Sequence, residues 1–119
     1  MYSDIVRDHF ANPRNIGEIT SPDAAGSAKN EADGDKVELQ LSIKNNVISD
    51  VKVKVMGCVA AIASSSMLTE MIKGMKVDEA RNFSREKLVT ALGGLPEHKI
   101  RCSLTCIDAL QNALESFSD

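Results

Sequence analysis

At 119 residues, with 43 % hydrophobic and 26 % charged side chains, the chain is long enough for one compact domain with its own core and too short for two ordinary ones. No apolar run approaches the roughly 18 residues of a membrane span, and the opening Met1-Tyr2-Ser3-Asp4 has no basic stretch leading into an apolar core, so the expectation is one soluble, cytoplasmic domain over residues 1–119. A net charge of −3, a pI near 5.4, no Lys/Arg cluster, and only one Tyr and three Phe for stacking argue against nucleic acid as a partner.

Ser3 is placed to cap a short helix through Phe10, which Asn12-Pro13 stops. The stretch 16–30, rich in Gly, Ser, Ala and Pro, reads as loop or weak strand. From Val37 the pattern changes: Val37, Leu39, Leu41 and Ile43 alternate with polar residues, as do Val51, Val53 and Val55, which predicts two half-buried antiparallel strands. Asn45-Asn46 invites a two-residue hairpin, but that register pairs Leu39 with Lys52 on one face. An odd-length loop, or a bulge near Val47, restores Leu39 opposite Val51 or Val53. Extended far enough, either register sets Ala32-Asp33-Gly34-Asp35 alongside Met56-Gly57-Cys58. After Cys58, Ala61, Met67, Leu68, Met71, Ile72 and Met75 share a helical face, with Gly74 as the break. Two short helices follow, over 77–82 and 84–92, then a rigid Leu95-Pro96 connector. From Cys102 onward, Leu104, Ile107, Leu110, Leu114 and Phe117 recur at helical spacing.

The three cysteines Cys58, Cys102 and Cys106 are an odd number in a chain read as cytosolic, which argues against a disulfide framework, and they contain no Cys-x-x-Cys pair, so a zinc ribbon and a thioredoxin-like motif are unsupported. Any metal site is assembled from distant segments. Cys58 falls at a strand-to-helix junction and Cys102 at a helix start, where orphan N–H groups and the helix dipole favour thiolate. Taken alone, each is otherwise a small buried hydrophobe. Cys106, one turn after Cys102, is either a fourth ligand or a core residue beside Leu110. Asp35 is either a metal ligand or a turn cap beside Gly34. His9 and His98 read as packing or surface residues. Ser64-Ser65-Ser66 reads as helix packing, without a positioned His/Asp partner, and Lys52 and Lys54 as a solvated strand face.

Three blocks carry a resemblance. Tyr2-Ser3 with His9-Phe10-Ala11-Asn12-Pro13-Arg14-Asn15-Ile16-Gly17, then Gly57-Cys58 through Ala61-Ile62-Ala63-Ser64-Ser65-Ser66 to Thr69-Glu70, and finally Lys99-Ile100-Arg101-Cys102-Ser103-Leu104 with Asp108-Ala109-Leu110 resemble, in order and at the expected separations, the iron–sulfur cluster scaffold family of the IscU / NifU N-terminal type. The resemblance implies an α+β fold, a small antiparallel sheet of about three strands covered by helices with a long C-terminal amphipathic helix. It also implies a scaffold rather than an enzyme. In that family a transient [2Fe–2S] cluster is built from iron and from sulfur supplied by a cysteine desulfurase, then passed to recipient apoproteins.

The family's site has three cysteines, aided by an Asp and a His. Two cysteines carry over as Cys58 and Cys102, and the Asp as Asp35. The first family cysteine, in an Ala-Cys-Gly-Asp segment, falls on Asp33, and the His before the last cysteine falls on Arg101. The expected cluster ligands are therefore Asp33, Cys58 and Cys102, with Asp35 and Cys106 as further metal ligands. The competing reading makes Asp33 and Arg101 an ion pair across a site that has lost assembly activity. An alternative function is a mononuclear zinc or iron module in which Asp33, Cys58, Cys102 and Cys106 close a tetrahedral site; a thiol enzyme using Cys58 is weakest, since no base is visible nearby. Leu95-Pro96-Glu97-His98-Lys99 matches part of the family's Leu-Pro-Pro-Val-Lys segment, which adds an Hsp70-type chaperone to the expected partners.

Overall fold

The computed structural model describes residues 2–117. In chain order it runs α1 (Asp4–Ala11), β1 (Ala24–Asn30), β2 (Asp35–Lys44), β3 (Val47–Met56), α2 (Val59–Ile72), α3 (Val77–Arg81), α4 (Arg85–Ala91), a 3₁₀ turn (Glu97–Lys99) and α5 (Ile100–Ser116). The strands form one antiparallel sheet in the order β1-β2-β3. Its inner face buries Val37, Leu39, Leu41, Val51 and Val53 beneath α2 and α5, and its outer face presents Lys36, Glu38 and Lys54 to solvent. Each large apolar side chain removed from water on that inner face contributes roughly 1.5–3 kcal/mol, so the alternation read from sequence is the main determinant of which face turns inward. No helix of the described residues is long and apolar enough to cross a membrane.

The hairpin solves its parity problem with a tight turn and a bulge together. Asn45 and Asn46 both adopt positive φ, 51° and 63°, as a two-residue turn with the twist of its strands requires, and Lys44 pairs with Val47. The register then shifts between Ile43↔Ile48 and Ser42↔Asp50, which leaves Ser49 unpaired as the extra residue. Ser49 Oγ donates to the Ser42 carbonyl at 3.1 Å. Beyond it Leu39 faces Val53 and Lys36 faces Met56, which carries the acidic loop to the end of β3 as expected.

Two elements differ from their sequence reading. The segment read as loop or weak strand contains β1, whose Ala-Ala-Gly-Ser-Ala-Lys-Asn run has no large apolar residue to signal a strand. Its residues are small because α5 lies directly on it: a Cβ on Gly26 would sit 2.5 Å from the Ala109 carbonyl oxygen and 2.8 Å from Ala113 Cα. Helix α2, read as amphipathic, is buried nearly all round, including Ser64, Ser65 and Ser66 at 0 % exposure. It packs against α1, α5 and β3, and small side chains let three neighbours approach at once.

The serine run also fixes α1. Ser66 Oγ accepts the Arg14 backbone N–H at 2.8 Å and is hydrogen-bonded to His9 Nδ1, also 2.8 Å away. His9 Nε2 lies 3.6 Å from Glu70 Oε1. Burial, followed by the Arg14 guanidinium, holds the His9 pKa below its usual 6.5, against the opposing influence of Glu70 and Asp8. With the folded value depressed, the unfolded chain binds the proton first, so stability present above about pH 6.5 is lost as pH falls below it. The expected outcome is a melting temperature that declines from about pH 6.5 downward in the wild type. That first part of the acid limb should flatten in His9→Gln; an unchanged pH slope in the variant would mean His9 is not its source.

Candidate metal centre

The ends of three elements converge. Asp35 opens β2 and is almost fully buried, Cys58 occupies the N-cap of α2 and is half-buried, and Cys102 lies in the first turn of α5 with no exposed surface. The Asp35 carboxylate accepts the Cys58 backbone N–H through Oδ1 at 3.1 Å, so a carboxylate caps the helix where the cysteine side chain makes no cap bond. Its Oδ2 is 3.9 Å from Cys58 Sγ, and Cys58 Sγ is 3.4 Å from Cys102 Sγ. One donor atom from each residue lies within 4.8 Å of the others. Two soft sulfurs and one hard oxygen converging from separate segments are a donor set that fits iron or an iron–sulfur species.

Gly57 makes this approach feasible. Its φ of +155° is open to glycine alone, and a Cβ there would lie 3.0 Å from Asp35 Cγ and 3.1 Å from Asp35 Cα. A side chain at position 57 would therefore push the carboxylate away from Cys58. Beneath the sulfurs, Ala60, Ala61 and Cys102 form a small apolar cluster on which Tyr2, Val55, Cys58 and Leu95 pack.

The thiols do not share one environment. Burial, reinforced by hydrogen bonding to Asp35 and Cys58, pushes the Cys102 thiol well above the usual range, so the helix dipole that was expected to favour its thiolate is outweighed. The nearby cation is Lys99, whose pKa is raised first by Cys58 and then by Cys102 and Asp33; it enters from the end of the 3₁₀ turn, and cysteine spacing gave no hint of it.

Of the residues named from sequence, the structure brings together Asp35, Cys58 and Cys102, while the side chains of Asp33 and Cys106 are engaged with other partners. Asp33 is clamped by Arg101, with Nε to Oδ2 at 2.6 Å and Nη2 to Oδ1 at 3.1 Å, and it also accepts from Asn30 Nδ2 at 2.7 Å. The guanidinium and then the Asn30 amide hold its carboxyl near 2, far under the usual carboxylate range. This is the ion-pair geometry of the competing sequence reading. The same Asn30 amide reaches Asp35 Oδ2 at 3.5 Å and so lies between the two carboxylates, a role no motif signalled. Cys106 is fully buried in the main core, its Sγ 3.3 Å from the Ser103 carbonyl oxygen, and burial pushes its thiol up to about 12. The four donors required for a closed mononuclear site are thus not assembled. His98 is exposed on the 3₁₀ turn, and His9 is the partner of Ser66 that the sequence reading of the serine run missed.

Residues 1–119 match the family described as NifU-like N terminal domain. An iron–sulfur cluster assembly scaffold protein, IscU 1 of Archaeoglobus fulgidus, is 46 % identical over 117 residues, which cover 98 % of this chain and 76 % of that protein. The scaffold protein IscU of Aquifex aeolicus is 40 % identical over 118 residues, covering 98 % of this chain and 75 % of its own. Among solved structures, a putative iron–sulfur cluster assembly scaffold protein for the SUF system from Fervidobacterium islandicum superposes with a TM-score of 0.78 at 23 % identity, covering 95 % of this chain and 96 % of that one, a likeness of fold.

Proposed function

This chain belongs to the NifU-like N-terminal domain family, and from that premise we propose that it is a scaffold on which a [2Fe–2S] cluster is assembled and from which the cluster is passed to apoproteins. The observation that carries the reading is the convergence of Asp35 Oδ2, Cys58 Sγ and Cys102 Sγ. The cluster is cargo. Cys58, the half-buried sulfur, receives sulfur from a cysteine desulfurase; Cys102 binds iron from beneath, and Asp35 supplies an oxygen ligand while fixing Cys58 through its backbone N–H. With an oxygen ligand from Asp35 and no thiolate at position 33, the ligand set is harder and the cluster more readily released. The 3₁₀ turn at Glu97–Lys99 is the surface an Hsp70-type chaperone would read.

The test is anaerobic reconstitution of the apo chain with ferrous iron, L-cysteine and a cysteine desulfurase, followed by visible spectroscopy and metal and sulfide analysis. The expected result is sulfur-to-iron charge-transfer absorption with matched iron and sulfide, together with micromolar association with the desulfurase. Iron without sulfide, or no association, would remove the scaffold role.

Asp33 gives a further expected outcome. Position 33 is linked to Asp35 through Asn30, and a thiol there would be released from the Arg101 clamp and free to add a third soft ligand, so Asp33→Cys should slow cluster loss to a chelator, measured as the decay of the visible bands. Unchanged decay would mean that position 33 faces the Arg101 side alone.

A further inference from the structure

The two sulfurs of the site are 3.4 Å apart and both cysteines are free. This is van der Waals contact between the two atoms a disulfide joins, and it falls inside the separation of about 3–3.5 Å from which positioned groups react. A disulfide bond of about 2.05 Å needs a closure of about 1.4 Å from this separation. No third thiol competes: Cys106 is held in the core against the Ser103 carbonyl, and position 33 carries a clamped carboxylate. Cys58 is half-buried while Cys102 has no exposed surface, so arriving sulfur meets Cys58 first, with Cys102 Sγ behind it.

We propose that this pair releases sulfide by itself: sulfane sulfur received on Cys58 is displaced by Cys102 Sγ, with the two cysteines as the electron source. The step rests on the reading that Cys58 accepts sulfur. The Cys102 Sγ–Cys58 Sγ bond forms and the bond from Cys58 Sγ to the outer sulfur breaks. The outer sulfur leaves as hydrosulfide, taking the electron pair of the broken bond and the proton of the Cys102 thiol. Two electrons pass from the cysteine pair to the outer sulfur, which goes from the sulfane to the sulfide level. The disulfide left behind takes both sulfurs out of the donor set, so each chain delivers one sulfide, and an external dithiol must reduce the pair before metal can bind again. Ferrous iron on the two thiolates withholds both, which confines the reaction to the metal-free chain.

The test uses the whole chain, reduced and metal-free under anaerobic conditions. It is exposed briefly to the persulfide of glutathione, desalted, and then followed by intact mass, peptide mapping and sulfide assay. The expected result is a chain that starts one sulfur atom heavier and ends two hydrogens lighter than the reduced form. One hydrosulfide is released per chain, and the Cys58 and Cys102 peptides are joined. In Cys102→Ala the extra sulfur should remain on Cys58 with loss of sulfide release, and Cys102→Ser should behave alike, which guards against one variant that folds poorly. Preloading the wild type with ferrous iron should suppress release. A wild-type chain that keeps its extra sulfur as long as the Cys102 variants do, or a disulfide that joins Cys106 instead, overturns the proposal. If the same protein still builds a cluster from iron and free sulfide, only the dithiol step has failed. If Cys58 takes up no sulfur and no iron binds, the scaffold reading has failed and this step with it.

Discussion

Cys102→Ala is expected to abolish iron and sulfide loading altogether, whereas Cys106→Ala, one helical turn further along α5, should load as the wild type does and lose stability instead. Both residues are fully buried on the same helix, so burial alone does not separate them. Their surroundings do. Cys102 Sγ touches Cys58 Sγ and shares the Asp35 carboxylate, and its removal leaves one sulfur and one oxygen, too few donors to hold iron against water. Cys106 Sγ rests against the Ser103 carbonyl among apolar neighbours, and its thiol, pushed up to about 12, stays neutral at any ordinary pH. Trimming it costs about 1 kcal/mol, a drop of roughly 4 °C in melting temperature for a chain of this size. Metal analysis beside thermal denaturation of both variants checks the pair of outcomes. A Cys106→Ala protein that loses metal as fully as Cys102→Ala would return Cys106 to the ligand set and revive the closed mononuclear site.

Gly26→Val should be the most damaging single substitution far from the metal centre. The added Cβ would meet backbone atoms of α5, the Ala109 carbonyl oxygen at 2.5 Å and Ala113 Cα at 2.8 Å, and no rotamer change removes backbone from its path. The helix must lift off β1. Overpacking of this kind costs about 2–4 kcal/mol, which corresponds to a fall of roughly 8–16 °C in melting temperature. Because α5 also carries Cys102, lifting the helix separates its sulfur from Cys58, so iron affinity should fall along with stability. Thermal melts with and without ferrous iron read both effects. A variant that melts near the wild type would show that α5 is free to slide over β1.

The parts of this molecule legible in the sequence are those where one residue's chemistry sets a local structure. Val37, Leu39 and Leu41 announced β2 by alternation, Ser3 and Ser84 announced helix starts and do cap them, accepting from Val6 N–H at 3.1 Å and Lys87 N–H at 3.2 Å, and Asn45-Asn46 announced its turn. Strand β1 was legible only as loop or weak strand because its smallness answers to α5, more than eighty residues away in the chain, and no local pattern records that. The site divides the same way. Cys58 and Asp35 could be brought together by counting along a hairpin, since register is arithmetic. Whether Asp33 faces the sulfurs or Arg101 depends on a guanidinium 68 positions on, beyond what the hairpin can dictate. The resemblance supplied the donor types, and only the assembled fold shows the competing partner. The thiolate expected at Cys102 failed for a related reason: helix position is visible in sequence, but the depth of burial that opposes it is not.

The bulge at Ser49 imposes an uneven rule of length on the hairpin. Remove Ser49, and Ser42 can still lie opposite Asp50 in an unbroken ladder, with Leu41 opposite Val51 and the same faces inward. The ladder would simply become regular. Remove any one residue between Val51 and Gly57, and Cys58 moves about 3.3 Å along the strand direction, while each side chain between the gap and the thiol changes sheet face. The distance from turn to thiol is therefore counted from Asp50 onward, and Ser49 is the position where this hairpin can lose a residue without moving the metal ligands apart.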